Sequence, residues 1–139
     1  MKKLLILALI AFTTFNAFSQ NLQKGNLVGL HTVTVKLNAK TTMDQLVDFM
    51  STKWTAAESK FYSCDVKLLK YVRGVAVGTD KLTFLIIYKD AASRNKFYNP
   101  DGTTNEGGKA AEAKMKSITD EFNKLASIVK NEYTDWEVK

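Results

Sequence analysis

Apolar positions along the chain follow two periods. From Leu27 to Leu37 apolar and polar residues alternate. Leu27, Gly29, His31, Val33, Val35 and Leu37 therefore share one face of a strand, and Val28, Leu30, Thr32, Thr34 and Lys36 share the other. After "NAKTTMDQ" the spacing becomes helical through Met43, Leu46, Val47, Met50 and Trp54, which predicts a helix to about Lys60. Thr42 and Gln45 have the spacing of a capping box, in which hydroxyl and amide satisfy free N–H groups at the helix start. "CDVKLLKYVRGVAVG" is rich in β-branched and aromatic residues, with Gly74 as a bend, and predicts a second strand. A tight turn at "GTD" joins it to "KLTFLIIYK", so the pair reads as a hairpin. In that third strand Leu82, Phe84, Ile86 and Tyr88 point one way and Leu85 and Ile87 the other, so both faces are apolar.

Asp90 is placed to cap a short helix, "AASRNKFY", that stops at "NPDG", where Pro100 and Gly102 oppose helix. Past the polar loop "TTNEGG", Ala111, Met115, Ile118, Phe122, Leu125 and Val129 form one apolar seam, predicting a helix from about Lys109 to Asn131. "EYTDWEV" predicts a last strand with Thr134, Trp136 and Val138 on one face. The order strand, helix, strand, strand, helix, strand is the split pattern of an α+β, ferredoxin-like βαββαβ sandwich with an antiparallel sheet. Helices cover one face of such a sheet. The apolar second face of the third strand predicts a homodimer, with a cavity between sheet and partner.

The first residues carry an address instead of a fold. Lys2 and Lys3 precede an apolar run from Leu4 to Phe12 and then small and polar residues, the layout of a secretory signal peptide. The run is too short for a permanent membrane span. Ala17 and Ser19 suit a cut before Gln20, so residues 1–19 are expected to be a leader and 20–139 a single domain, exported to the periplasm or beyond, with no stable membrane anchor.

Composition narrows the function classes. Of the formal charge of +6, Lys2 and Lys3 belong to the leader. The remaining basic residues are scattered without interleaved aromatics, which argues against a nucleic-acid partner. A single cysteine, Cys64, forms no internal disulfide and reads as a small core residue. One histidine and one cysteine offer no zinc spacing, so no metal and no cofactor is expected. "GTTNEGGK" misses the phosphate-loop pattern at Gly108 and Ala110, and "NPDGTTNE" lacks the closing glutamate of a calcium loop. His31, the one histidine, is the candidate for acid/base chemistry or ligand binding in an apolar cavity, helped by Tyr71 or Tyr88 on neighbouring strands.

"LHTVTVKLN" resembles the first strand of the stress-responsive members of the dimeric α/β-barrel superfamily, and "FYNPDG" is similar to a His-Pro segment at the corresponding place in those proteins. The resemblance implies a dimeric α/β barrel. Among relatives, plant polyketide cyclases use a first-strand histidine, which His31 matches, with a second histidine that this chain lacks near Asp101 or Gly102; Asn99 also stands where the histidine precedes the proline. The Asn, Trp and His arrangement of haem-degrading monooxygenases cannot be assembled from Trp54, Trp136 and His31. Three functions are therefore expected in order: an exported binder of a small apolar or aromatic molecule with His31, Tyr71 and Tyr88 at its site; a cofactor-free enzyme, cyclase-like or monooxygenase-like, using His31; and an envelope interaction module without a small ligand.

Overall fold

A computed structural model describes residues 22–74 and 79–139. The leader and the Val75 to Gly78 part of the predicted second strand and turn lie outside the described residues. Strand β1 (Leu27–Leu37) is followed by helix α1 (Met43–Phe49), a π-helical segment (Met50–Trp54) and helix α2 (Thr55–Tyr62). Strands β2 (Asp65–Leu69) and β3 (Lys81–Tyr88), the short helix α3 (Ala91–Arg94), the long helix α4 (Glu106–Leu125) and strand β4 (Ala126–Glu137) complete the chain.

The sheet order is β2-β3-β1-β4, and every neighbouring pair is antiparallel. This is the α+β ferredoxin-like arrangement that the element order predicts. In β1 the alternation sorts the faces as expected. Val33 and Val35 are buried with Leu82, Phe84 and Val66 under Leu46, Phe49, Met50 and Phe122 from the helices. Burial of these side chains is the main stabilising term of the domain. The other face carries Leu30, Leu85, Leu69 and Trp136, and among the described residues the helices pack on the first face.

The capping box forms: Gln45 N–H donates to Thr42 Oγ1 at 3.2 Å, and Thr42 N–H donates to Gln45 Oε1 at 2.9 Å. From there the chain stays helical to Tyr62, but five residues in its middle take the wider π turn.

Three boundaries differ from the sequence expectation. Strand β2 ends at Leu69, so the second strand is shorter than expected and Tyr71 lies beyond it. The short helix stops at Arg94, and residues 95–104 form a loop clasped by a bridge between Tyr98 and Thr104. Helix α4 begins at Glu106 and ends at Leu125, six residues before the expected Asn131. Its cap, Ala126, is already extended, and "SIVKNEYTDWE" pairs along the whole of β1 with one bulge opposite Thr34 and Val35. Val129 consequently lies exposed on β4 instead of on the helical seam. Twelve residues of ladder outweigh a further turn of helix because β1 would otherwise expose an unpaired edge.

Two glycines explain the early start of α4. A Cβ on Gly107 would collide with the Lys96 carbonyl, and one on Gly108 with the Phe97 carbonyl and the Thr104 methyl. Their bareness lets the first turn of the helix lie directly on the loop backbone. Asn105 caps it, accepting from Gly108 N–H at 3.2 Å and donating to Asn95 O at 3.0 Å.

Candidate functional site

Where the helices lift away from one end of the sheet they leave a half-open cleft of about 980 Å³, at the upper end of the range that small molecules occupy. Its floor is Gly29, His31, Ile86, Tyr88 and Tyr133 of the sheet. One wall is Trp54, Glu58 and Tyr62; another comes from α4 at Glu112 and Met115. The loop from Tyr98 to Thr104 closes a third side.

His31 is partly buried, and its ring stacks on Tyr133 with centroids 3.9 Å apart and 17° between planes. The two residues are directly opposite across the β1–β4 ladder. Nε2 lies 3.2 Å from Asn131 Oδ1. Because that oxygen only accepts, Nε2 carries the proton and the neutral ring presents its lone pair at Nδ1. Burial pushes the imidazole below its usual range, and the Asn131 bond opposes this in part.

Glu58 is the strongest perturbed acid of the site. Burial lifts it to about 7, against the opposing bond from Trp54. Trp54 Nε1 donates to Glu58 Oε2 at 2.8 Å, one helical turn away. Around this carboxyl stand hydroxyls that burial keeps protonated: Tyr62, pushed up to about 12, and Tyr88 and Tyr98, pushed up further. Tyr62 and Tyr98 stack at 5.9 Å. The Cys64 thiol, next to Tyr88, is also pushed up to about 12 by burial, which makes it a poor nucleophile.

Arg94 fastens the loop. Its Nη1 donates to Asn99 O at 2.8 Å, its guanidinium lies 5.0 Å from the Tyr98 ring centroid, and Nη2 pairs with Asp135 at 3.4 Å. Asp135 sits opposite Gly29, where a Cβ would come within 3.2 Å of its carboxylate. A bare glycine on β1 thus leaves room for the acid that holds the loop's arginine.

Of the three residues expected at the site, His31 and Tyr88 line this cleft. Tyr71 does not: its hydroxyl meets Thr83 Oγ1 at 2.6 Å, and Thr83 is on the opposite face of the sheet. The cleft itself lies on the helix face, away from the face left open for a partner. Glu58 and Tyr62 carry no motif, and the sequence reading passes over them. Their signal is spacing alone, since they follow Trp54 by four and eight residues on the helical stripe. Among the described residues no group of three or more metal-ligating side chains occurs, and no helix is long and apolar enough to cross a membrane.

No family model matches the chain, and no curated protein matches it. Solved structures do. An uncharacterized NIPSNAP domain protein from Burkholderia xenovorans superposes with a TM-score of 0.54 at 10% identity, covering 81% of this chain and 94% of that one. A NIPSNAP family protein from Agrobacterium tumefaciens gives 0.50 at 12% identity, covering 80% and 90%. The chain shares their fold. At such identities the likeness concerns architecture: a four-stranded antiparallel sheet with helices on one face, ferredoxin-like as in the NIPSNAP structures. The same comparison does not single out the stress-responsive barrel family.

Proposed function

We propose that this is an exported small-molecule-binding protein whose ligand, apolar or aromatic in its body, sits in the cleft between the helix face of the sheet and helices α2 and α4. The observation that carries the reading is the cleft itself, with one protonatable carboxyl, Glu58, set among aromatic rings. A concavity in which aromatic and apolar side chains surround polar groups held at fixed places is the usual make-up of a small-ligand site. The leader pattern supports export, and the open apolar face of the sheet supports a homodimer. Native mass spectrometry of the protein isolated from its own host tests all three together. A cleaved dimer carrying additional mass is expected; an uncleaved, bare monomer overturns the reading.

A second reading, a cofactor-free enzyme, is favoured by the pairing of two oppositely perturbed groups in one cleft. His31 is held neutral with a free lone pair, and Glu58 holds a proton to about neutral pH. One is a base and the other an acid under the same conditions, which is the requirement for concerted acid/base work. A His31→Ala variant that binds ligand as the parent does but loses turnover would favour this reading over simple binding.

A further inference from the structure

Resting on the reading of the cleft as a ligand site, we propose that its ligand is an ammonium ion on an apolar or aromatic body, with the cationic nitrogen held between the Glu58 carboxylate and the faces of the surrounding tyrosines.

The charges of the cleft are unevenly committed. Arg94 is engaged by Asp135, by the Asn99 carbonyl and by the Tyr98 ring. Lys116 points to solvent and pairs with Asp120 at 2.7 Å. Glu112 accepts from Thr104 Oγ1 at 3.0 Å. Glu58 has the Trp54 indole N–H on one oxygen and no cation near it among the described residues. The groups that face it are Tyr62 on its own helix, Cys64 just beyond that helix, Tyr88 from β3, Tyr133 from β4 and Tyr98 from the loop, and the neutral His31 of β1 lines the same cleft. Glu112 from α4 is a second acid close to Tyr62, and the two cations of the cleft are matched by acids of their own, Arg94 by Asp135 and Lys116 by Asp120, so the field around Glu58 is negative.

Ligands of each charge meet this field differently. An anion would face Glu58 and find Arg94 already occupied. A neutral molecule would leave Glu58 protonated and gain nothing from the field. An ammonium ion gains twice: a charge-assisted bond to the carboxylate, and attraction to the electron-rich faces of the aromatic rings, which is strongest where water is excluded. Tryptophan and tyrosine are the residue types that make cation cages in general, and here the Tyr98 ring already takes the Arg94 guanidinium, which leaves Trp54, Tyr62, Tyr88 and Tyr133 for a ligand. At neutral pH such a ligand also displaces the Glu58 proton to solvent, so binding and proton release are coupled.

Isothermal titration calorimetry with three probes of one size separates the possibilities: 2-phenylethylamine, 2-phenylethanol and phenylacetate. The amine is expected to bind about tenfold tighter than the alcohol, and phenylacetate weakest. Glu58→Gln, which keeps an acceptor for Trp54, is expected to bring amine and alcohol to parity while alcohol binding persists. Near pH 7 the heat of amine binding is expected to differ between phosphate and Tris buffers, because a proton is released. Equal affinity for amine and alcohol, or an amine preference that survives Glu58→Gln, overturns the inference and leaves the ligand site standing. Absence of binding by all three probes overturns the ligand site as well.

Discussion

Trp54 and Glu58, four residues apart on one helical stretch, are joined by a 2.8 Å hydrogen bond from indole N–H to carboxylate, and together they form one wall of the cleft. The tryptophan also meets Phe122 of α4 at 5.5 Å, edge to face, so it belongs to the core and to the site at once. Glu58 is thereby fixed by a rigid neighbour. A carboxyl held in this way, with its charge disfavoured by burial, makes stability depend on pH.

The contribution of Glu58 to stability is expected to fall as pH rises from about 4.5 to about 7. Within that window the folded protein keeps a proton on Glu58 that the unfolded chain, at the ordinary value of 4.5, has released. The native state binds more protons there, so raising the pH favours unfolding, by on the order of 3 kcal/mol in all. Above the folded value the loss levels off. Urea unfolding of Glu58→Gln across this range should show the slope removed and the variant more stable than the parent near pH 8. Parallel curves for the two proteins would contradict the assignment.

The single histidine makes the opposite effect easy to isolate. Its folded value lies below 6.5, so the unfolded chain takes up a proton first as pH falls, and stability from this group is lost below 6.5. Proton NMR follows one imidazole without assignment work. Asn131→Leu should move its midpoint lower still, because the bond that favours the charged ring is removed. An unchanged midpoint would mean that the Asn131 contact is absent in solution.

Gly108→Ala should destabilise the domain by about 1–3 kcal/mol, since the added methyl group must displace backbone and the Thr104 side chain. Because the displaced segment is the loop that closes the cleft, amide exchange over residues 97–104 should accelerate more than in the sheet. A melting temperature equal to the parent's would show that the helix start does not rest on the loop.

Thr42→Ala removes one half of the capping box and should cost about 1 kcal/mol in chemical denaturation. Gln45→Ala tests the other half, and the double variant should cost less than the two single changes added together. Strict additivity would mean that the two bonds do not support each other.

The proposed homodimer can be tested at Trp136, which is 62% exposed on the open sheet face beside Val28. Trp136→Glu is expected to give a monomer by sedimentation equilibrium with the fold intact by circular dichroism. Persistence of a dimer would place the interface elsewhere.

The strands and their faces were legible where alternation was strong. In β1 and β3 each side chain falls on the side its parity assigns, because one face is buried by helices and a slip of one residue would invert the core. The capping box was legible because it is local chemistry. The end of α4 was not: "LASIVKN" continues a helical seam in sequence, and only the presence of β1 alongside turns it into a strand. Nor was the role of Gly107 and Gly108, whose need for bare backbone depends on carbonyls eleven residues earlier.

The amino-acid sequence by itself determined the order of elements, the buried faces, the helix start at Thr42 and the candidacy of His31, because each rests on spacing along one element or on being the sole residue of its kind. Tertiary structure decided the site. It put Tyr88 with His31 and Tyr71 across the sheet from them, and it turned Glu58, one acid among 14, into a group that titrates near neutrality. Desolvation is a property of surroundings, and the surroundings of Glu58 come from β1, β3, β4, α4 and a loop that no local pattern brings together.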